Sequence, residues 1–408
     1  MAVTDGTVVD PAAYQHGFDA RIGEVVARAA TRSPGFGQRL AGAGLDPEEI
    51  TDAAALDRLP VLDKDTLLEQ QHARPPFGDL LAPDAEVRRI FQSPGPLYEP
   101  EVGTGDTWRW APALRTAGFG SDDRVLVAFG FHLSPAGAMF EAACDALGAT
   151  VVPAGIGNKE AQLRACRDLG VTAFVGPPSY LKALLDAARE EGHPLSLRRA
   201  FVTAEPFPPS LRALLEEEVP VVRQGFGTAE TGHLGHECEA RDGLHVPEDA
   251  LVQICDLDTG AARHDGGEGQ LVVTLLSTDY PVVRFGTGDL SAWSLAPCPC
   301  GAATPRIRGW LGRVGDAVKV KGMFLHPRQV DQVVGGVAGV ARHRMVIDRA
   351  EHKDVLRCEV VPEGAASDGV ADAVATAVRE HLRFNAEVVL VDALDDEVGS
   401  FEDRRRWE

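Results

Sequence analysis

"RVLVAFGFHLSPAGAMFEAACDALGATVVPAGIG", residues 124–157, contains the change of period that decides the fold. Its first eight residues are a compact apolar run of strand type, residues 136–149 place apolar side chains at helical spacing, and "TVVPAG" is a strand again, stopped by Pro153 and Gly155. Strands joined through a helix of this length run parallel, because the crossover returns the chain to the same end of the sheet. The beat continues through "EAQLRACRDLG" as helix, "VTAFVGPPS" as strand, "YLKALLDAAREEG" as helix, "RRAFVTAEPF" as strand, "PSLRALLEEEV" as helix, and "PVVRQGFGTAE" as strand and turn. The expected class is therefore α/β: a large N-terminal domain with mainly parallel sheets covered on both faces, its ligands gathered at the C-terminal ends of the strands.

Outward from this centre the texture changes. Upstream, "AAYQHGFDARIGEVVARAATR" reads as helix. Beyond about Gly225 the strand-like runs shorten to "DALVQICDL", "GQLVVTLLS" and "PVVRFGTGDL", which predict a β-rich subdomain. From about Gly312 strands and helices alternate as in a small α+β unit. The domains are read as 1–312 and a smaller, mobile 313–408, with "GWLGRVGD" as the hinge.

The 408 residues, 44% apolar, suffice for more than one core. A formal charge of −21 argues against nucleic acid as a partner, since that binding rests on a concentrated basic surface. An anionic small molecule must instead be held by helix N-termini, an Arg or a bound cation. No apolar run is long enough to span a membrane, and the N-terminal residues lack a signal-peptide pattern, so the expected setting is cytoplasmic with no membrane partner. Seven Cys, an odd number over a long chain, point to reduced thiols or a metal site.

The stretches "RLPVLDKDTL", "ALGATVVPAGIGN", "LGVTAFVGPPSYL", "TAEPF", "QGFGTAETG", "ECEARDGLHV", "GEGQLVVTLLSTDYPVVRFGTGDL" and "GRVGDAVKVKGMFLHPRQV" occur in this order. In them the chain resembles the phenylacetate–CoA ligase branch of the adenylate-forming enzymes along nearly its whole length. The resemblance implies activation of a small, aromatic carboxylic acid by ATP and transfer of the acyl group to CoA, with Mg²⁺ on the nucleotide. It also implies roles for particular residues: Ala204, Glu205 and Pro206 line the adenine pocket, Phe226 and Gly227 lie beside the base, Glu230 holds the magnesium ion, and Asp289 accepts the ribose hydroxyls. An ionised Asp suits that task because it only accepts and can take two O–H bonds. Arg313 is expected at the ribose or phosphate, Phe131, His132 and Gly155 at the acyl pocket, and Lys319 and Gly322 beside a pantetheine tunnel reached after domain rotation. A homodimer is a further expectation of the resemblance.

Cys298 and Cys300 of "CPCG", with Cys238 and His245 of "HECEARDGLH", form a four-ligand set suited to a structural Zn²⁺. His233 and His236 are rivals of His245, and spacing does not choose among them.

The chain departs from the family where the phosphates would sit. "QSPGPLYEP" (92–100) stands where relatives carry a Ser-, Thr- and Gly-rich loop with a Lys; Ser93 and Gly95 remain, with no cation, and its prolines lack amide donors. "SFEDRRRW" places Arg404 near the position of a catalytic Lys, and the hinge has Gly315 in place of an Asp. Three readings stay open: an acid–CoA ligase, an adenylating enzyme with an amine or hydroxyl acceptor, and an ATP-independent binder of a CoA thioester or adenylate.

Overall fold

The computed structural model describes residues 10–93, 95–314, 318–321, 323–325, 327–350, 353–364, 369–395 and 399–406. It divides into two compact units, one of residues 1–207 and 212–314, the other of residues 315–408 with 208–211.

Among the described residues, the first unit is built around a nine-stranded sheet and a five-stranded sheet. Strands Thr150–Pro153, Arg124–Val127, Ala173–Gly176, Arg199–Val202 and Val221–Thr228 lie side by side in that order, all parallel. The chain steps from Arg124–Val127 to one side and returns to its other side, so the order reverses at that strand. A crevice opens outside the carboxyl ends of strands at such a point. The intervening helices bury one face each. Ala136–Ala146 buries its own Phe140 and Ala143, and Lys159–Leu169 starts on the Asn158 side chain and stops at Gly170 in the left-handed region. Trp110, Phe140 and Phe201 pack ring to ring beneath the sheet, with Trp110 and Phe140 centroids 4.7 Å apart.

After Thr228 the sheet turns antiparallel through Gly232–His236 and ends in three strands of two residues each, Leu244–His245, Arg306–Ile307 and Trp293–Ser294. The five-stranded sheet is antiparallel and holds Ala250–Cys255, Gly269–Leu275 and Phe285–Ser291. Residue Leu62 bridges to Phe285 in parallel, exchanging backbone hydrogen bonds with Arg284 and Gly286. Helix Lys64–Ala73 follows at once, its first turn capped by Asp63, whose carboxylate accepts from the Thr66 amide at 2.7 Å.

The N-terminal helical run is broken in two, Pro11–His16 and Asp19–Arg32. Gly17 closes the first helix with its amide on Ala13 and Tyr14 carbonyls, and the redirected chain buries Phe18. The second unit has its own core of Val330, Val334, Met345, Ile347, Leu356 and Val374 around the four-stranded sheet centred on Val340–Ala350 and Lys353–Pro362.

Candidate active site

Strands Arg199–Val202 and Val221–Thr228 are neighbours, so the turns that follow them leave the sheet side by side. The first turn carries Ala204, Glu205 and Pro206. Ala204 has φ +74°, a conformation costly for a residue with a Cβ and common where a functional turn fixes the backbone. The Glu205 carboxylate accepts from the Ser179 amide at 3.3 Å, at the start of helix Pro178–Glu190. The second turn carries Phe226, Gly227 and Glu230. A Cβ on Gly227 would lie 2.6 Å from Cζ2 of Trp110 and overlap the Gly232 carbonyl, so this hairpin closes only around glycine. Thr228 and Thr231 hydroxyls bond each other at 2.9 Å across the turn and hold Glu230 between them.

Glu230 is buried and forms an ion pair with the Lys64 ammonium. Burial alone would raise its carboxyl, but the charge and hydrogen bond of Lys64, helped by Thr228, bring it below the ordinary value. Glu99, on strand Tyr98–Val102, has the opposite fate: full burial and the nearby Glu230 charge push it well above the usual carboxylate range, with Lys64 only partly compensating. The two neighbouring carboxyls are thus shifted in opposite directions. Ser93 is buried at the head of the "QSPGPLYEP" loop.

Asp289 lies on strand Phe285–Ser291, directly opposite Arg313 in the register. One of its oxygens accepts from the Arg313 guanidinium at 2.9 Å and the Trp310 indole at 3.1 Å. The structure therefore joins two residues that the sequence put at one nucleotide. Phe131, His132 and Gly155 line a cavity of about 530 Å³ beyond the ends of strands Arg124–Val127 and Thr150–Pro153, with Glu141, Pro153 and Ile156.

The side chains of Cys238, His245, Cys298 and Cys300 bring their ligand atoms within 4.8 Å of one another. Cys238 and Cys298 sulfurs are 3.5 Å apart and Cys300 sulfur is 3.3 Å from Nε2 of His245. A tetrahedral zinc site has S···S edges of about 3.8 Å and S···N edges of about 3.5 Å, so the residues fit this ion. The other ring nitrogen of His245 faces the Thr304 carbonyl at 2.8 Å, which fixes the tautomer that leaves Nε2 toward the sulfurs. His233 and His236 face each other instead, at 3.0 Å, and burial holds His236 down to about 4 and His233 well below its ordinary value.

In the second unit, Lys319 lies on strand Val318–Val320, and Arg404 follows strand Phe401–Asp403 and pairs with Glu402 at 2.7 Å. Gly322 and Gly315 fall outside the described residues. Three residues that sequence reasoning missed stand at the 92–100 loop: Lys64, Gln71 and Glu99. Lys64 sits in the quoted "RLPVLDKDTL", but nothing local to that stretch says which loop its side chain reaches.

The AMP-binding enzyme family matches residues 106–275, which span the parallel strands and both turns. The phenylacetate-coenzyme A ligase of Thermus thermophilus is 31% identical over 350 residues, covering 82% of this chain and 78% of that protein. The enzyme of the same name from Aromatoleum evansii is 31% identical over 340 residues, covering 78% and 76%. A solved structure of 2-hydroxyisobutyryl-CoA ligase in complex with 2-HIB-AMP and CoA shares 27% identity and a TM-score of 0.85 over 97% of this chain and 90% of that one. Relatives of this identity and coverage, on a fold that sets the expected turns at one strand edge, lead to one conclusion: the chain belongs to the phenylacetate-coenzyme A ligase family of AMP-binding enzymes.

Proposed function

We propose that the protein activates an aromatic carboxylic acid with ATP and passes the acyl group to the thiol of CoA. The observation that carries this reading is the pairing of turns 203–206 and 225–230 at one strand edge, in a chain of this family. A carboxylate resists a thiol because its oxygen is a poor leaving group. In the first step a carboxylate oxygen attacks the α-phosphorus and the bond to pyrophosphate breaks, giving an acyl-adenylate. In the second the thiolate adds to the acyl carbon and AMP departs with the electron pair.

The chain's residues divide this work. Asp289, held by Arg313 and Trp310, receives the ribose hydroxyls, while Ala204, Glu205, Pro206 and Phe226 border the base and Gly227 keeps their hairpin tight. Glu230 is the magnesium ligand; its fit rests on a buried carboxylate kept ionised beside a cation. Magnesium, when bound, supplies charge neutralisation on the phosphates. The cavity walled by Phe131, His132 and Gly155 takes the acyl group, and the aromatic wall supports an aryl or arylacetic acid. Lys319 and Gly322 for the pantetheine arm, Arg404 for adenylation and a homodimer are carried by the family resemblance alone, and a cytoplasmic setting by the N-terminal sequence pattern. Cys238, His245, Cys298 and Cys300 hold a structural zinc, with no open position for catalysis.

ATP–pyrophosphate exchange with Mg²⁺ and a panel of aromatic acids tests the reading. Exchange that depends on one acid, followed by CoA-dependent thioester formation, is the expected result. Exchange without thioester would move the protein to another acceptor, and absence of exchange with every acid would overturn the assignment.

A further inference from the structure

The "QSPGPLYEP" loop has no cation of its own, yet one stands against it. A Cβ on Gly95 would lie 2.8 Å from Nζ of Lys64 and overlap its Cε, so the end of the Lys64 side chain occupies the space over this glycine. The same ammonium pairs with Glu230. Resting on the adenylation reading above, we infer that Lys64 holds the β- and γ-phosphates of ATP, supplying from a neighbouring helix the charge that the loop lacks.

Two anchors aim it. Leu62, two residues before, is bridged to the strand that carries Asp289. Gln71, on the same face of the helix two turns later, donates to the Tyr98 carbonyl at 2.9 Å and accepts from the Tyr98 amide at 2.8 Å. Helix and loop are thus tied by a pair of hydrogen bonds, with buried Leu67 between Lys64 and Gln71. These ties fix the backbone from which the Lys64 side chain reaches the loop.

The surroundings are those of a polyanion site and not only of a salt bridge. The Ser93 hydroxyl and one oxygen of Glu99 are buried without a hydrogen-bond partner. Burial and Glu230 push the Glu99 carboxyl toward its protonated form, whose O–H can donate as the Ser93 hydroxyl can. One cation, one anion and two O–H groups can accept a phosphate that two ionised carboxylates would repel. Lysine suits the place because its compact ammonium has three donors on a flexible stem and can move from the Glu230 carboxylate to phosphate oxygens within the same cluster.

The test compares binding of MgATP and of AMP, which shares the nucleoside and α-phosphate, by calorimetry. Lys64→Met should weaken MgATP about tenfold or more and leave AMP within about twofold. Gly95→Ala, which keeps both members of the ion pair but pushes the ammonium aside, should weaken MgATP several-fold and spare AMP; it decides the matter should Lys64→Met not fold. Variants that lose both nucleotides equally while folded, or neither, overturn the role of Lys64 and leave the adenylation reading standing. Wild-type protein that binds AMP but no MgATP, or neither nucleotide, sinks the adenylation reading and the inference with it.

Discussion

Asp289 shows how much a single position has to satisfy. One of its oxygens already accepts from an indole and a guanidinium, so its carboxylate is oriented before any nucleotide arrives. Asp289→Asn keeps an acceptor but removes the charge facing Arg313. It should reduce AMP affinity about tenfold or more, read by calorimetry, with a stability loss of only about 1–3 kcal/mol in urea titration. Unchanged AMP affinity would take the ribose away from this residue. The sequence names Asp289, Glu230 and the 204–206 turn only through the family resemblance of their motifs. Lys64 was not legible, because a cation delivered from another segment leaves no pattern in the loop it serves. Glu99 was hidden for a related reason: its carboxyl is pushed up by burial and by Glu230, and burial is set by the fold.

Among the elements, the parallel strands were the readable part, since apolar runs alternating with helices admit few other arrangements. What holds those strands in step at the end away from the site was not readable. The buried Asp123 carboxylate accepts from the Gly120 amide, the Thr172 hydroxyl at 2.8 Å, Arg198 at 2.9 Å and Arg199 at 2.6 Å, so it ties together the starts of three adjacent strands. Burial works against its ionisation, but these hydrogen bonds and the Arg199 charge outweigh it and leave its carboxyl below the ordinary value. Asp123→Ala should cost about 3 kcal/mol in urea unfolding, while AMP affinity of the folded fraction stays unchanged. Because the folded value is depressed, this stabilisation is complete above the unfolded carboxylate pKa of about 3.9 and fades as pH falls through the folded one. The wild type should therefore lose stability faster than the Ala variant on acidification. The Cys–His cluster sits at the opposite limit of legibility: Cys-x-Cys named two of its members, but only the fold could choose His245 over His233 and His236. Cys298→Ser should abolish zinc binding, measured by metal analysis, and lower the melting temperature; an unchanged melting temperature would deny the metal a structural role.

The molecule as a whole contains separate apolar cores in its two units. The residues proposed for adenosine, Ala204, Glu205, Pro206, Phe226, Gly227, Asp289 and Arg313, all lie in the first. Scanning calorimetry should resolve two transitions, of which AMP at one hundred times its dissociation constant stabilises the larger by about 2.7 kcal/mol. A single transition that shifts as one would mean that the cores unfold together. The three two-residue strands at the end of the nine-stranded sheet have a consequence outside catalysis. They carry few ladder hydrogen bonds, and a metal held by the Cys–His cluster would fasten the loops that join them. Chelating buffers during purification should thus yield aggregate where metal-replete buffers yield monodisperse protein. In a zinc-starved cell the outcome would be fewer molecules and a heavier chaperone load, each surviving molecule turning over at its normal speed.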